Sequence, residues 1–239
     1  MKKIHKILFF CFLWPIVSNS QSITSTTNQL ADFVPNGWKK ILEVKGDLNI
    51  DKLEDVVLVI EKTDSSNFKR SSSWGSDTLN LNPRRLLVLF KKDNGYYSLI
   101  ANNNNGFVPS QNDAVSACLE DPLMADGGII IEKGVLKIHY KYWLSCGSWF
   151  VNTADYTFRY QRGGMELIGF DHNEFHRASG ESNSTSINFS TKKIQEITGM
   201  NEFEETENKP KEKWRSIQNP RIYNLQRCND QTYFDLLKL

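Results

Sequence analysis

Gly46-Asp47-Leu48-Asn49-Ile50-Asp51-Lys52-Leu53-Glu54-Asp55 runs without a break into Val56-Val57-Leu58-Val59-Ile60. This stretch decides the fold class. Asp47, Asn49, Asp51 and Asp55 place oxygen-bearing side chains at odd spacing in a tight loop. Such side chains close turns by accepting from nearby backbone amides. The apolar run that follows does not alternate, which is the pattern of a strand buried on both faces. Trp38 to Lys45 lies on the other side of the loop, so Trp38–Lys45 and Val56–Lys62 form a hairpin across it.

The same spacing suits a hard cation, because calcium takes a shell of oxygen ligands from a flexible loop. The chain here resembles the FG-GAP or VCBS-type repeat, whose Gly-Asp-x-Asn-x-Asp-Gly-x-x-Asp turn enters an apolar strand. The resemblance implies calcium as cofactor, held by Asp47, Asn49, Asp51 and Asp55, and the loop places the Leu53 carbonyl to add a further ligand. An EF-hand is excluded, since its closing glutamate position is occupied by Leu58. Two residues depart from the repeat. Lys52 stands where glycine is usual and Ile50 where a small residue is common. The alternative is an Asx-rich turn with no ion. The resemblance covers one hairpin, and no second copy occurs, so a propeller built from repeats is not expected.

Residues 1–20 read as a secretory signal peptide: Lys2, Lys3 and Lys6, then an apolar stretch from Ile7 to Val17, then Ser18-Asn19-Ser20 before Gln21. Pro15 and the shortness of the run argue against a membrane anchor. Without the three leader lysines the chain carries 26 basic against 28 acidic residues, a net charge of −2. Nothing in that balance points to nucleic acid or anionic lipid. Export to the periplasm or the extracellular space places Cys118, Cys146 and Cys228 in an oxidising compartment. Cys118 and Cys146 are the expected pair, with Cys228 left over; the alternative is three reduced, half-buried thiols.

Residues 21–36 read as a flexible lead, 37–198 as an antiparallel β domain, and 199–239 as a charged connection with a C-terminal segment packing on the domain. Leu86 to Phe90 is a second double-sided strand, and Asp93-Asn94-Gly95 turns it into Tyr96–Ala101. Thr63–Pro83 and Asn102–Gly128 are long connections, the latter with a short helix expected around Ala114–Leu119. Leu136, Ile138, Tyr140, Tyr142 and Leu144 share one strand face. The pattern recurs from Phe150 to Tyr160. Ser186–Phe189 and Lys193–Ile197 form a further hairpin. Ile222, Tyr223 and Leu225 are expected as an edge strand, and Phe234, Leu236 and Leu237 as a packed C-terminal turn. The whole reads as a single antiparallel all-β domain, propeller-blade-like or a sandwich, with little helix.

Catalytic motifs are weak. His172, Glu174 and His176 lie on a strand end, where two imidazoles point the same way but stand about 13 Å apart. Ser179 beside His176 reads as a hydrogen-bonded turn. There is no nucleophile elbow, phosphate loop or dinucleotide fingerprint. Most tryptophans are expected in the core, with Trp74 and Trp143 as the exceptions. The sequence therefore favours an exported binding or structural β module with a calcium-stabilised hairpin, its partner a protein or glycan. The alternatives are a hydrolase using the His172/Glu174/His176 region and a protein-inhibitor or immunity-type partner.

Overall fold

The computed structural model describes residues 23–203, 209–218 and 220–239. The leader expected over residues 1–20 lies outside them. In chain order the strands are β1 (Thr26–Thr27), β2 (Trp38–Gly46), β3 (Asp55–Lys62), β4 (Phe68–Arg70), β5 (Thr78–Asn80), β6 (Arg84–Lys91) and β7 (Tyr97–Asn103). They continue as β8 (Gly128–Glu132), β9 (Val135–Trp143), β10 (Phe150–Gln161), β11 (Gly164–His176), β12 (Glu181–Asn188), β13 (Lys193–Asn201) and β14 (Lys211–Ser216). The single α-helix among the described residues is α1 (Thr232–Leu237). The all-β expectation holds.

The strands make two main antiparallel sheets. One has five strands in the order β1-β7-β6-β3-β2; the other is a seven-stranded meander from β8 to β14. β4 and β5 form a small separate hairpin. Lys133-Gly134 and Arg162-Gly163 turn the meander with φ of 50° and 74°, and of 51° and 79°. Two successive left-handed residues match the right-handed twist of the flanking strands.

The sheets pack face to face. Val57, Val59, Leu86, Val88 and Phe90 of the first meet Ile138, Tyr140, Tyr156, Phe158, Phe170 and Ile187 of the second in one core. The other face of β3 and β6 is also buried. Val56, Leu58, Ile60, Leu87 and Leu89 cluster with Phe33, which explains why neither run alternates. Residues 23–36, expected as a flexible lead, supply that cover: β1 pairs with β7, and a 3-10 turn at Leu30–Phe33 buries Phe33 completely.

The two sheets differ in length, and this creates the site. β10 and β11 have 12 and 13 residues, whereas β3 and β6 have 8 each. At the usual rise that is roughly 40 Å against roughly 26 Å. The longer strands therefore overhang the sandwich. On their inner face the first row of paired residues is apolar: Ile138, Tyr156, Phe170, Ile187 and Ile194. The next is mixed: Tyr140, Ala154, His172 and Thr185. The row beyond is Tyr142, Asn152, Glu174 and Asn183.

Three local expectations change. Residues 114–119 make no helix, because their backbone is used by β9: Glu120 N–H donates to Trp143 O, Ser145 N–H donates to Cys118 O, and Leu119 bridges to Leu144. Ile222–Leu225 makes no strand. Only Asn224 bridges to the sheet, at Glu166. The edge strand is instead β14, which spans the end of the expected charged connection and the start of the C-terminal segment, within residues 199–239. Of the tryptophans among the described residues only Trp38 packs against the core, and only partly buried. Trp74, Trp149 and Trp214 are exposed, and the buried aromatics are tyrosines and phenylalanines. Trp214 sits on the sheet edge and Trp149 in the β9–β10 turn, where no second layer covers them.

Candidate functional site

The acidic loop forms the β2–β3 turn, as expected. Asp47 Oδ1 accepts from Ile50 N at 2.6 Å and from Asp51 N at 3.2 Å, and Oδ2 accepts from Lys52 N at 2.8 Å. Asn49 Oδ1 accepts from Asp51 N and Asp51 Oδ1 from Leu53 N. Asp55 is fully buried, and its two oxygens accept from Leu48 N at 2.9 Å and Lys91 N at 3.0 Å. Burial raises its pKa, the charges of Asp51 and Asp47 add to that rise, and the two amides oppose it. Ile50 and Lys52 stand at φ 63° and 69°, so the glycine missing at Lys52 is missing where the backbone is left-handed. The donors suit calcium, but every carboxylate oxygen already serves an N–H donor. Among the described residues no three His, Cys, Asp or Glu side chains gather as a metal-holding group. An ion here would share these oxygens with the amides through their second lone pairs.

The histidines of β11 do not converge. His176 Nδ1 lies 2.8 Å from Ser179 Oγ and accepts from Ser179 N at 3.1 Å, closing a turn. His172 Nε2 faces the Tyr233 hydroxyl at 2.9 Å. Burial lowers the His172 pKa, against the pull of the nearby Glu174 charge. Burial pushes the Tyr233 hydroxyl up to about 12. The two groups hydrogen-bond to each other, and burial disfavours the charged form of both.

The larger feature is one that sequence reading missed. A cleft of about 610 Å³ opens over the overhang. Tyr142, Asn152 and Tyr156 form its floor, the loop from Gly106 to Ala114 one wall, and Tyr233 and Phe234 of α1 the other. Its rings touch edge to face or tilted: Phe107 and Tyr156 centroids are 5.0 Å apart, Tyr142 and Tyr233 5.7 Å, Tyr233 and Phe234 5.2 Å. Ser110, Asn112, Asp113, Asn229 and Asp230 supply polar groups.

Both walls are anchored. Arg84, 4 % exposed, binds Asp121 through two nitrogens at 2.8 and 2.6 Å, Glu61 at 3.0 Å and the Pro109 carbonyl at 3.2 Å. Asn80 exchanges hydrogen bonds with Asn112 and donates to Gln111 and Glu61. The disulfide Cys118–Cys146, with Cα atoms 5.3 Å apart, ties the same loop to the β9–β10 turn. Asn103 donates to the carbonyls of Leu225 and Cys228 and so fixes the C-terminal segment. Cys228 is free and buried. The sequence held a signal for this network: Glu61 and Arg84 are charges bordering the two double-sided apolar strands, and they pair across the ladder.

Neither a protein family, nor a curated protein, nor a solved structure matches the chain.

Proposed function

We propose that the protein is an exported β-sandwich binding module that takes a glycan in the aromatic cleft. The observation that carries this is the half-exposed Phe234 ring packed on Tyr233, which in turn packs on Tyr142, over a floor of buried Tyr156 and Phe107 and rimmed by amides and carboxylates. Such a mixture offers flat apolar faces for C–H surfaces and planar polar groups for hydroxyls. The volume lies in the ordinary range for ligand clefts. A hydrolase at His172 is the weaker reading, because its Nε2 is engaged by Tyr233 and is not left open to a substrate.

A glycan array followed by calorimetric titration of the hits tests the proposal. Phe234 is half exposed, so Phe234→Ala should fold normally and weaken binding about tenfold through loss of one ring face. Saccharide binding that Phe234→Ala leaves unchanged, or no saccharide binding at all, would refute it.

Calcium at Asp47, Asn49, Asp51, the Leu53 carbonyl and Asp55 belongs to the same proposal as a stabilising ion rather than a ligand site. It is favoured by the Asp51 and Asp47 charges beside the buried Asp55 carboxyl, which a cation would offset.

A further inference from the structure

A second concavity lies at the turn end of the seven-stranded sheet and shares no lining residue with the aromatic cleft. Its volume is about 430 Å³. The end of β10 contributes Arg159, the β10–β11 turn Arg162, the β12–β13 turn Lys192, and the segment before α1 Arg221. Glu166 is the one carboxylate in the lining. It is consumed locally: Arg162 Nε donates to Oε1 at 3.1 Å, Arg162 Nη2 reaches Oε2, and Gln161 donates to Oε2 at 2.6 Å.

The remaining cations are poorly matched. Arg159 Nε and Nη2 both meet the uncharged Gln161 Oε1, at 3.3 and 3.2 Å. Among the described residues neither Arg159 nor Lys192 has a carboxylate within ion-pair distance. Arg221 has only Asp235 at 3.9 Å, and its guanidinium lies over the Tyr223 ring at 5.3 Å. Four cations and one carboxylate leave +3 around one pocket, in a chain with 29 basic and 28 acidic residues. Leu167, Phe189 and Ile222 give it apolar walls, which strengthen attraction for an anion inside.

We propose that this pocket is an oxyanion site that takes a phosphate or sulfate group between Arg159, Lys192 and Arg221. Guanidinium forks match tetrahedral oxyanions and the lysine adds a point charge. The pocket has room for a small group attached to the anion, so a free ion and an esterified one share the same chemistry.

Inorganic phosphate and sulfate are titrated calorimetrically against the full chain, with chloride at equal ionic strength as the reference. Both oxyanions should bind and chloride should not. The exposed pair Arg159→Gln/Lys192→Gln should weaken phosphate at least about tenfold, whereas Lys69→Gln, on the small β4–β5 hairpin, should leave it unchanged. Phosphatidic-acid vesicles form the second arm. Vesicle binding that free phosphate competes away and the double variant loses assigns the group to a lipid headgroup. Phosphate binding without vesicle binding assigns it to a soluble molecule. No preference over chloride in either arm, or oxyanion binding untouched in the double variant, overturns the site.

Discussion

The Tyr233 hydroxyl stands 2.9 Å from His172 Nε2, and this contact joins the C-terminal helix to the overhanging face of the long sheet. Tyr233 also lines the aromatic cleft, where its ring lies tilted against Tyr142 with centroids 5.7 Å apart.

Burial lowers the His172 pKa in the folded chain. Below its unfolded value of about 6.5 the unfolded chain then binds more protons at this position than the folded one. The contribution of His172 to stability is thus present above that pH and is lost as pH falls toward the lower folded pKa. His172→Gln should keep a polar partner for Tyr233 and flatten this part of the acid side. Melting curves at about pH 7.5 and about pH 5.5 for both proteins are the check. An equal acid loss in both would remove His172 as the cause.

Arg84→Met should destabilise the protein by about 3–5 kcal/mol, because it strands Glu61 and Asp121 without their shared cation. Glu61 is held below the usual carboxylate range: burial works against the charge, and bonds from Lys39, Arg84 and Asn80 outweigh it. Arg84→Lys should also cost stability, since an ammonium cannot reproduce the two parallel bonds to Asp121. Urea denaturation gives the values, and a loss below about 1 kcal/mol for Arg84→Met would contradict the assignment.

Cys118 and Cys146 close a loop with a sequence separation of 28, so Cys118→Ser/Cys146→Ser should lower stability by roughly 2–4 kcal/mol. Cys228 should resist thiol reagents until the chain unfolds, since burial pushes its thiol up to about 12. Non-reducing peptide mapping and thiol titration with and without denaturant decide both points.

Asp51→Ala should abolish any calcium-dependent rise in melting temperature. Lys52→Gly should stabilise the hairpin without calcium by up to about 1 kcal/mol, because Lys52 occupies a left-handed backbone at φ 69°. Asp55→Ala should be the most damaging change in the loop, as it strips acceptors from the buried Leu48 amide and from Lys91 N. Melting curves in chelator and in millimolar calcium separate the ion from the caps. Coincident curves would leave the amide caps as the sole role of these side chains.

The sequence by itself determined what depends on near neighbours. The uninterrupted Val56–Ile60 and Leu86–Phe90 runs required strands covered on both sides, and alternation from Leu136 to Tyr142 fixed the face that meets the core. Asp47, Asn49 and Asp51 announced a capped turn, because their acceptors reach amides only two to five residues on. Tertiary structure decided what depends on distant pairing. The cleft exists because strands β10 and β11 outrun β3 and β6, a mismatch that appears only once two sheets are stacked. Its walls meet through contacts 61 residues apart between His172 and Tyr233, and 37 apart between Arg84 and Asp121. The oxyanion pocket likewise gathers two hairpin turns and a C-terminal segment. Each cation reads as an ordinary solvated charge in the sequence, and only the folded sheet brings them to one concavity.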